Sequence, residues 1–536
     1  MPSCQQVKTQ PPAKLAWRPS GDWIAASGCA ALALWTYRVV LTNFFSPDDL
    51  VLWEWNRRLI TLPATLWRYL PGHFYFGLTI GSFGTNPYPY FLVNWFFHGI
   101  NVVLIYIFVR RLGGGSLAAS LAASLFGSTR LFLTAIGQAV GFGDLLALCF
   151  TLLASIAMTF ETRWTQVSGT LAFLLALLSK EIVVALPLSL LLGPSVGPSL
   201  AARFRRLAPL FVTGVLWIAY LGLSGARGSV LGGTAYATAF GWNLLNSLLM
   251  YAQWSGDLRG VAPDFGAERP GHSWFAGLWV LVPIVLVAWL VRRRSKLPMI
   301  GLTWWLAGLA PVLPLLVQKH LHYLYSPAVG FAVWLGSVAE LLFQAWPGPS
   351  PKRVHVAWGA VILLVVGHAV LSDALIRRRY RERLADVDLP ADAFVRKMEI
   401  GRRATSSIRT AMDDRPVRIA FYNPLIRGKA DFYVQLLPAV LDHGRGLRAL
   451  YPNIDSVVFV QRWEPELAQF EIVVANEDGR VLPFGRGAEA NRRLIQTLAG
   501  NGYEREASEL LLSSVIAYPG DPALEAMYSS YKAQAR

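Results

Sequence analysis

The acidic pair Asp48-Asp49 is the first candidate for chemistry, because it stands in the aromatic sequence FFSPDDLVLW (44–53) directly after the first strongly apolar stretch. At the mouth of a membrane span, a carboxylate can serve as the general base that takes a proton from an acceptor hydroxyl. The alternative role is a helix N-cap for LVLWEWNRRLI, but capping needs only one carboxylate. We predict Asp49 as the base, with Asp48 orienting it or binding the acceptor, and the reverse assignment stays open.

Basic residues that can neutralise a phosphate occur at the predicted end of another span and after the acidic pair. The run VQKHLHYLYSP supplies Lys319, His320 and His322, and Arg57 and Arg58 follow the pair. Two close histidines also occur in zinc sites, but no further Cys, His or acidic ligand follows at the usual spacing. We therefore predict a site for a donor phosphate, with Arg58 as a member, and no metal or other cofactor.

Other polar residues interrupt apolar sequence and are candidates for the same cavity. Lys180 and Glu181 stand inside a 27-residue apolar stretch (167–193), where ionisable groups are costly and usually face a cavity or a partner. The alternative is a tight turn between two short spans. Polar residues four apart share one helix face, where they line a cavity or hydrogen-bond between helices. The predicted supporting residues are Lys180, Glu181, Tyr325, Asn94, His98 and Gln138, with Asp144 as a weaker candidate.

Carboxylates and cations on one membrane face fit the transfer of a sugar from a lipid phosphate to a hydroxyl. The leaving phosphate is a stable anion that needs charge stabilisation rather than a general acid, and the acceptor needs one carboxylate base. A lipid flippase or transporter is one alternative, but it predicts inverted repeats that this sequence does not show. The other alternative is a non-enzymatic assembly or anchoring protein of the cell envelope.

The composition predicts a membrane domain followed by a water-soluble one. Of 536 residues, 54% are hydrophobic and 15% are charged, whereas soluble domains average about a quarter charged. Of the 33 acidic residues, 11 precede residue 373 and 22 lie in the last 164 residues. The net charge of +16 comes from bases clustered beside apolar runs, as at 203–206 and 292–296. This location is typical of the positive-inside rule and argues against nucleic-acid binding.

Apolar runs of about 20 residues, the length that crosses hydrocarbon, predict about eleven membrane helices. If the N-terminus is cytoplasmic, most basic clusters lie on the cytoplasmic side of the membrane and the loop 43–89 lies on the external side. The basic run RRRYRER (377–383) would then also lie on the external side. Residues 236–252 are predicted to be interfacial or re-entrant. The predicted spans are 22–42, 90–109, 115–133, 140–160, 167–178, 181–193, 206–223, 274–291, 299–317, 321–342 and 355–372.

The last part of the chain changes to strand-like and amphipathic sequence. VRIAFYN (417–423), SVVFVQ (456–461) and FEIVVAN (470–476) predict strands, with helical sequence around 430–450. The final helices have Gly-Tyr and Pro-Gly-Asp spacings typical of one tetratricopeptide-type hairpin. The predicted divisions are a cytoplasmic tail (1–20), a transmembrane domain (21–373), a basic linker (374–400), a small soluble α/β domain (401–485) and tetratricopeptide-like helices (486–536).

Four stretches resemble the GT-C superfamily of polytopic glycosyltransferases, in particular the branch of the protein O-mannosyltransferases and the transmembrane-and-tetratricopeptide O-mannosyltransferases. In two places the sequence departs from that branch: His322 replaces the usual Arg before Tyr-Leu-Tyr, and Arg68 is displaced within RYLPGHF. The stretches are SPDDLVLW (46–53), residues 83–114 with Asn94 and His98, SKEIVVALPLSLLLGP (179–194) and HYLYSPAVGFAVWLG (322–336).

The resemblance implies that the acidic pair carries the base, that a polyprenyl-phosphate monosaccharide is the donor, and that transfer inverts the anomeric centre without a bound metal. The implied partners are membrane lipid, this donor and an acceptor that is a protein, a lipid or a polysaccharide. The C-terminal domain would dock the acceptor or a protein partner. We expect a bacterial cytoplasmic membrane with the site and the C-terminal domain outside; an endoplasmic reticulum membrane is the alternative.

Overall fold

The structure is a computed structural model in which the amino-terminal two thirds is a helical membrane domain and the remainder a small α/β unit with terminal helices. It describes residues 19–57, 66–224, 237–256, 274–292, 295–345, 351–385, 388–411, 417–422, 437–460, 463–475 and 480–534.

The membrane domain follows the predicted apolar runs closely, because each run is long enough to satisfy its own backbone as a helix. Its helices are α1 (Pro19–Tyr37), α2 (Pro47–Asn56), α3 (Phe76–Phe83), α4 (Tyr88–Arg111), α5 (Ser116–Ser128), α6 (Leu133–Gly137), α7 (Phe142–Ala157), α8 (Arg163–Ser179), α9 (Leu200–Leu223), α10 (Trp242–Ser255), α11 (Trp274–Val291), α12 (Leu297–Leu309), α13 (Pro327–Gln344) and α14 (Pro351–Arg381). Shorter 3-10 turns cover Arg38–Thr42, Arg130–Phe132, Ala139–Gly141, Glu181–Val183, Leu186–Leu192 and Leu321–Leu324, and a π-helical turn covers Leu70–Tyr75.

Six helices in the described part of the chain are long and apolar enough to cross a membrane, or seven if the bent pair Ser116–Ser128 and Arg130–Gly137 is one span. The chain is therefore an integral membrane protein. Three shorter apolar helices, Glu181–Leu192, Gly277–Trp289 and Leu297–Leu309, coincide with further predicted spans. The predicted total of about eleven stays a prediction, as does the crossing or re-entry of 236–252, where the structure has α10.

Helices α12 and α13 pack with their backbones in close contact. A Cβ atom at Gly330 would lie 2.3 Å from the carbonyl oxygen of Gly301 and 2.5 Å from the amide nitrogen of Trp305. Small residues at such a crossing are typical of membrane helix pairs. This crossing holds α13, and with it the preceding 3-10 turn that carries His322, against the rest of the domain.

The C-terminal unit contains a four-stranded sheet with the order β2-β1-β3-β4, where β1 is Val417–Tyr422, β2 Ile454–Val460, β3 Glu471–Ala475 and β4 Val481–Gly485. The three predicted strands are confirmed within the described residues. Strand β1 pairs parallel with β2 and β3, and β4 pairs antiparallel with β3. The sequence prediction missed β4, because its VLPFG sequence contains a proline and a glycine, which are depleted in strands.

The helices of this unit are α15 (Ala393–Ala411), α16 (Arg445–Leu450), α17 (Gly487–Gly500), α18 (Glu504–Ala517) and α19 (Pro522–Gln534). The predicted basic linker 374–400 is largely helical: α14 continues to Arg381, and α15 runs across the predicted boundary at 400. Arginines in this stretch pair with nearby acids, as in Arg379–Asp392 at 2.6 Å, so a basic run here is compatible with folded helix ends. The tetratricopeptide likeness of α17 to α19 stays a prediction.

The C-terminal unit packs directly on α2, the helix that carries the acidic pair. Leu50 and Trp53 of α2 share a buried cluster with Ala449 and Leu450 of α16. A Cβ at Gly446 would lie 2.6 Å from the Leu50 side chain, so glycine is what permits this close approach. The C-terminal unit therefore forms one side of the region around the acidic pair.

We expect Gly330→Leu to lower the free energy of unfolding by roughly 3 kcal/mol or more, because the new side chain meets backbone atoms of α12 that cannot move aside locally. The measurement is the thermal unfolding midpoint of the purified protein in detergent. The matched control is Gly359→Leu in α14, because nothing lies within 4 Å of a Cβ built there. Equal midpoints for the two variants would contradict the proposed contact.

Candidate active site

The acidic pair lies at the start of α2, where local sequence forms a complete capping box. Ser46 is the N-cap and Pro47 opens the helix. The Ser46 amide and hydroxyl both donate to Asp49 Oδ2, at 2.7 and 2.9 Å, and the Asp49 amide donates to Ser46 Oγ at 3.4 Å. Such reciprocal bonds satisfy donors that a helix start otherwise leaves unpaired.

Asp49 is fully buried, and both of its carboxylate oxygens are engaged. While Oδ2 accepts from Ser46, Oδ1 accepts from the Val140 amide at 2.7 Å. Burial raises the pKa of the Asp49 carboxyl to about 6, although these hydrogen bonds oppose the rise. Asp49 thus ties α2 to the 3-10 turn Ala139–Gly141 and has no surface open to an acceptor.

Asp48 has the opposite surroundings, because its side chain is exposed. Gln138 Nε2 donates to Asp48 Oδ2 at 3.4 Å and to Ser46 Oγ at 3.3 Å. Desolvation by the dense protein around it raises the pKa of the Asp48 carboxyl, while the Gln138 hydrogen bond and the charges of Lys397 and Arg68 oppose the rise. Asp48 is therefore the member of the pair that an incoming hydroxyl can reach.

A second group of charges surrounds the break between α8 and the following 3-10 turns. Lys180 Nζ donates to Asp144 Oδ2 at 2.6 Å, with both side chains nearly buried. Beside this pair, Arg68 contacts Glu181 through two hydrogen bonds, at 2.9 and 3.4 Å. Lys180 and Glu181 are thus paired with separate partners from other segments, rather than neutralising each other within a tight turn.

The histidines of the 3-10 turn Leu321–Leu324 face the same group of charges. His320 and His322 stack with their ring centres 5.2 Å apart, and Lys180 lies 5.6 Å from the Tyr323 ring. The charge of Lys180 acts on both imidazoles, and that of Arg68 also acts on His322. Among the described residues, the buried Nδ1 of His322 has no hydrogen-bond partner. The structure therefore places Lys180 near His320 and His322, and their role at a donor phosphate stays a prediction.

Three predicted supporting residues belong instead to a buried network between helices. Asn94 donates to the carbonyls of Ile136 and Gln138, at 3.2 and 2.5 Å. His98 shares hydrogen bonds with the Tyr325 hydroxyl at 3.0 Å and the Gly127 carbonyl at 2.9 Å. Asn94, His98 and Tyr325 are fully buried. Their geometry matches the alternative stated for Asn94 and His98, hydrogen bonding between helices.

Of the two remaining predicted phosphate ligands, the structure describes only Lys319. Lys319 donates to Asn243 Oδ1 at 3.2 Å, which directs it toward the start of α10. Arg58 lies outside the described residues. No group of three or more His, Cys, Asp or Glu side chains arranged to hold a metal ion occurs within the described ranges. The expectation of no metal stays a prediction.

Sequence reasoning gave too little weight to several charged residues of this region. The sequence indicates Asp144 only as a weaker candidate for the cavity, and Arg68 only as a departure from the family sequence. Lys397 falls within the predicted basic linker 374–400. The signal for Asp144 and Arg68 was present: a buried lysine and glutamate each require a partner of opposite charge. No local signal identifies Lys397, because its approach to Asp48 depends on how α15 packs.

Comparison with known proteins finds matches to solved structures. No family model matches this sequence, and neither does any curated protein. Among solved structures, the oligosaccharyltransferase of Archaeoglobus fulgidus, tethered with an acceptor peptide containing the NVT sequon, aligns at 12% identity with a TM-score of 0.46, over 79% of this chain and 63% of that one. The archaeal oligosaccharyltransferase AglB of the same organism, in complex with an inhibitory peptide and a dolichol-phosphate, aligns at 12% identity with a TM-score of 0.44. The alignment covers 79% of this chain and 64% of that one.

A third structure, the same organism's oligosaccharyltransferase in complex with Zn and sulfate, gives 10% identity and a TM-score of 0.44, over 90% of this chain and 70% of that one. The chain spans less than two thirds of the length of the first two neighbours. Likeness at these TM-scores carries no argument about reaction, substrates or residues. The GT-C resemblance and its O-mannosyltransferase branch therefore stay predictions.

The Lys180–Asp144 pair generates a stability prediction. Lys180→Met leaves a buried carboxylate without its cation, so we expect a loss of about 3–5 kcal/mol. The double variant Lys180→Met, Asp144→Leu should recover a large part of this loss, because no uncompensated charge remains. Thermal unfolding of the single and double variants measures the coupling.

Arg505→Gln, which removes the exposed Arg505–Glu509 pair, serves as the control and should change stability by less than about 1 kcal/mol. Additive effects at Lys180 and Asp144 would contradict the contact.

Docking of the C-terminal unit on α2 should depend on pH through Glu54. This side chain is fully buried, and its Oε2 lies 3.5 Å from Nε of Arg445, which also binds Asp442 at 3.1 Å. Burial, and then the neighbouring Asp442 carboxylate, raise the pKa of Glu54 to about 8. Because the folded-state pKa lies above the ordinary value of 4.5, the stabilisation is complete below that value and is lost progressively as the pH rises from there to about 8.

Glu54→Gln should therefore remove this pH dependence and make the protein more stable than wild type at pH above 8, by roughly 1–3 kcal/mol. Limited proteolysis and thermal unfolding across the interval from below 4.5 to above about 8 measure the effect. Glu464→Gln, at an exposed carboxylate, is the control. A Glu54→Gln variant with the pH profile of wild type would show that Glu54 is not the titrating group.

Proposed function

We propose that this protein is a membrane glycosyltransferase that moves a monosaccharide from a polyprenyl-phosphate donor to an acceptor hydroxyl. The observation that carries the proposal is the exposed carboxylate of Asp48, held by Gln138 and within the electrostatic reach of Arg68, in a chain with membrane-length apolar helices. This arrangement offers a base for the acceptor, cations for a lipid phosphate and apolar helices for the lipid tail.

The donor phosphate would bind between Arg68 and His322. Lys180 is nearly buried and committed to Asp144 at 2.6 Å, so it contributes charge rather than a direct contact. The Arg68–Glu181 pair keeps about a quarter of each side chain exposed, at 25% and 28%, so the guanidinium can also reach a phosphate. The unpaired Nδ1 of His322 supplies a further polar contact in the same group. The Arg68 guanidinium stabilises the charge of the phosphate as it leaves, while the His322 imidazole contributes a polar contact.

In the proposed reaction, the Asp48 carboxylate takes the proton of the acceptor hydroxyl. The hydroxyl oxygen then forms a bond to the anomeric carbon, while the bond from that carbon to the phosphate oxygen breaks. The electron pair of the broken bond leaves with the phosphate, and a single displacement inverts the anomeric centre. Lys397 and Arg68 favour the ionised form of Asp48 that this step requires.

The proposal moves the base from Asp49, which the sequence favoured, to Asp48. Asp49 is fully buried with both oxygens hydrogen-bonded, so an acceptor hydroxyl has no route to it. Its role in the proposal is to hold the start of α2 at the Ala139–Gly141 turn, and Asp48 with it.

The orientation of the site is also part of the proposal. Arg110, near the end of α4, pairs with Asp22 near the start of α1 at 3.0 Å, and Arg111 is next to it. Asp48 follows the other end of α1. By the positive-inside rule, the end with Arg110 and Arg111 is cytoplasmic and Asp48 is external. A bacterial cytoplasmic membrane is the compartment we propose.

The decisive experiment compares strains with wild type, a deletion, Asp48→Asn and Asp49→Asn at equal membrane abundance, by mass spectrometry of envelope glycans and polyprenyl-phosphate sugars. We expect Asp48→Asn to lower transfer by roughly 10²–10⁴-fold, with accumulation of the lipid-linked donor and an unchanged unfolding midpoint. Asp49→Asn should lower the unfolding midpoint, because it disrupts the capping box and the bond to Val140.

Asp455→Asn, at an exposed carboxylate in β2, is the matched control and should retain full transfer. If Asp48→Asn keeps wild-type glycans while the deletion loses them, the assignment of the base fails. If the deletion itself changes no glycan and no lipid-linked sugar, the transferase proposal fails and the envelope-anchoring alternative takes its place.

A further inference from the structure

A cavity of about 540 Å³ lies where the membrane domain meets α15 of the C-terminal unit. The α15 side of the cavity is polar and cationic: residues 402, 405, 406 and 409 have the spacing of one helix face. The other side combines aromatic rings with the polar turn between α3 and α4. The lining of the cavity includes Arg402, Thr405, Arg409, Phe44, Asn86 and Tyr451.

Both arginines that line the cavity are exposed, so their guanidinium groups can contact an anionic ligand. Arg402 is exposed at 53% of its side chain and pairs with Glu399 one turn earlier, whose side chain is 13% exposed and also pairs with Arg403. Arg409 is exposed, and its charge acts on Tyr451. Seven residues of helix place the two about 10 Å apart along the α15 axis. Guanidinium groups bind carboxylates and phosphates through paired hydrogen bonds, so this face is suited to an extended anion.

The remaining walls are suited to a sugar. The rings of Phe44 and Tyr451 present flat apolar surfaces on which the C–H face of a pyranose can stack. The Asn86 amide, at the exposed turn between α3 and α4, can exchange hydrogen bonds with ring hydroxyls, whereas the buried Thr405 hydroxyl already donates to the Gly401 carbonyl at 2.8 Å. Aromatic faces alternating with a few polar groups are typical of small-molecule sites.

We propose that this cavity binds an anionic saccharide, and that this saccharide is the acceptor; the second part rests on the proposed transferase function. The cavity is connected to the catalytic region by two elements. Phe44 lines it and lies four residues before Asp48, and Lys397, whose charge acts on Asp48, lies five residues before Arg402 on the same helix. An acceptor held here by its acidic groups would extend toward the Asp48 carboxylate.

The test measures binding to the full-length protein in nanodiscs of neutral lipid, without any donor. The probe is a fluorescently labelled oligosaccharide of hexuronic acids, and the comparison probes are its carboxyl-amidated form and an oligoglutamate of the same charge. We expect amidation to weaken binding at least about tenfold, and Arg402→Gln and Arg409→Gln to weaken it roughly five- to tenfold each. Arg409→Lys should recover part of the affinity, and Arg505→Gln, at an exposed arginine of α18, should have no effect.

Each other outcome overturns the proposal. Equal binding of the acidic and amidated sugars, or no effect of either arginine substitution in variants with wild-type unfolding midpoints, removes the anion site. Equal binding of the oligoglutamate shows a charged protein-binding surface instead of a saccharide site. Because no donor is present, these results are independent of transfer. A loss of transfer in Asp48→Asn with intact saccharide binding separates the two proposals.

Discussion

The structure around the candidate site depends on the position of α2, and Asp49 fixes that position. Its two oxygens join the start of the helix to the Ala139–Gly141 turn through hydrogen bonds of 2.7–2.9 Å, in a place with no solvent access. A buried carboxylate is costly unless such donors surround it. The same bonds that compensate its burial also hold the preceding residue, Asp48, toward the open side. The two adjacent carboxylates thus have different roles because one is enclosed and the other is not.

Contacts between α2 and α16 bring the C-terminal unit next to the candidate site. Leu50 and Trp53 pack on α16, and Glu54 meets Asp442 and Arg445 there. Helix α15 then runs along the membrane domain, where Lys397 influences Asp48 and Arg402 lines the neighbouring cavity. A soluble domain attached only by a linker would leave that cavity without one wall. Packing of the unit on α2 therefore places α15 and its cavity beside the helix that carries the acidic pair.

Charges near apolar helices follow one rule in this molecule: burial is accompanied by a specific partner. Lys180 pairs with Asp144, and Arg110 pairs with Asp22, with the side chains of both pairs nearly buried. The Arg68–Glu181 pair is only partly buried, and Asp48 is exposed. Ion pairs sealed in an apolar interior stabilise a fold only when each charge is compensated, whereas accessible charges remain available to a substrate. The charged side chains that are nearly buried are therefore assigned structural roles. The more exposed ones, Arg68 and Asp48, are those proposed to act on donor and acceptor.

The sequence by itself determined the apolar helices, the strands β1 to β3, the membrane class and the region of the acidic pair, because hydrophobic run length, strand-like composition and capping residues are local properties. It did not determine which carboxylate is accessible, since that follows from the contact between Asp49 and Val140, 91 residues apart. Nor did it separate His98 and Tyr325, buried between helices, from His322 near Lys180. The basic stretch 374–400 read as a linker, although it contains two helix ends and Lys397. Partners of opposite charge, and the walls of a cavity, are decided by packing between distant segments, and only the tertiary structure specifies that packing.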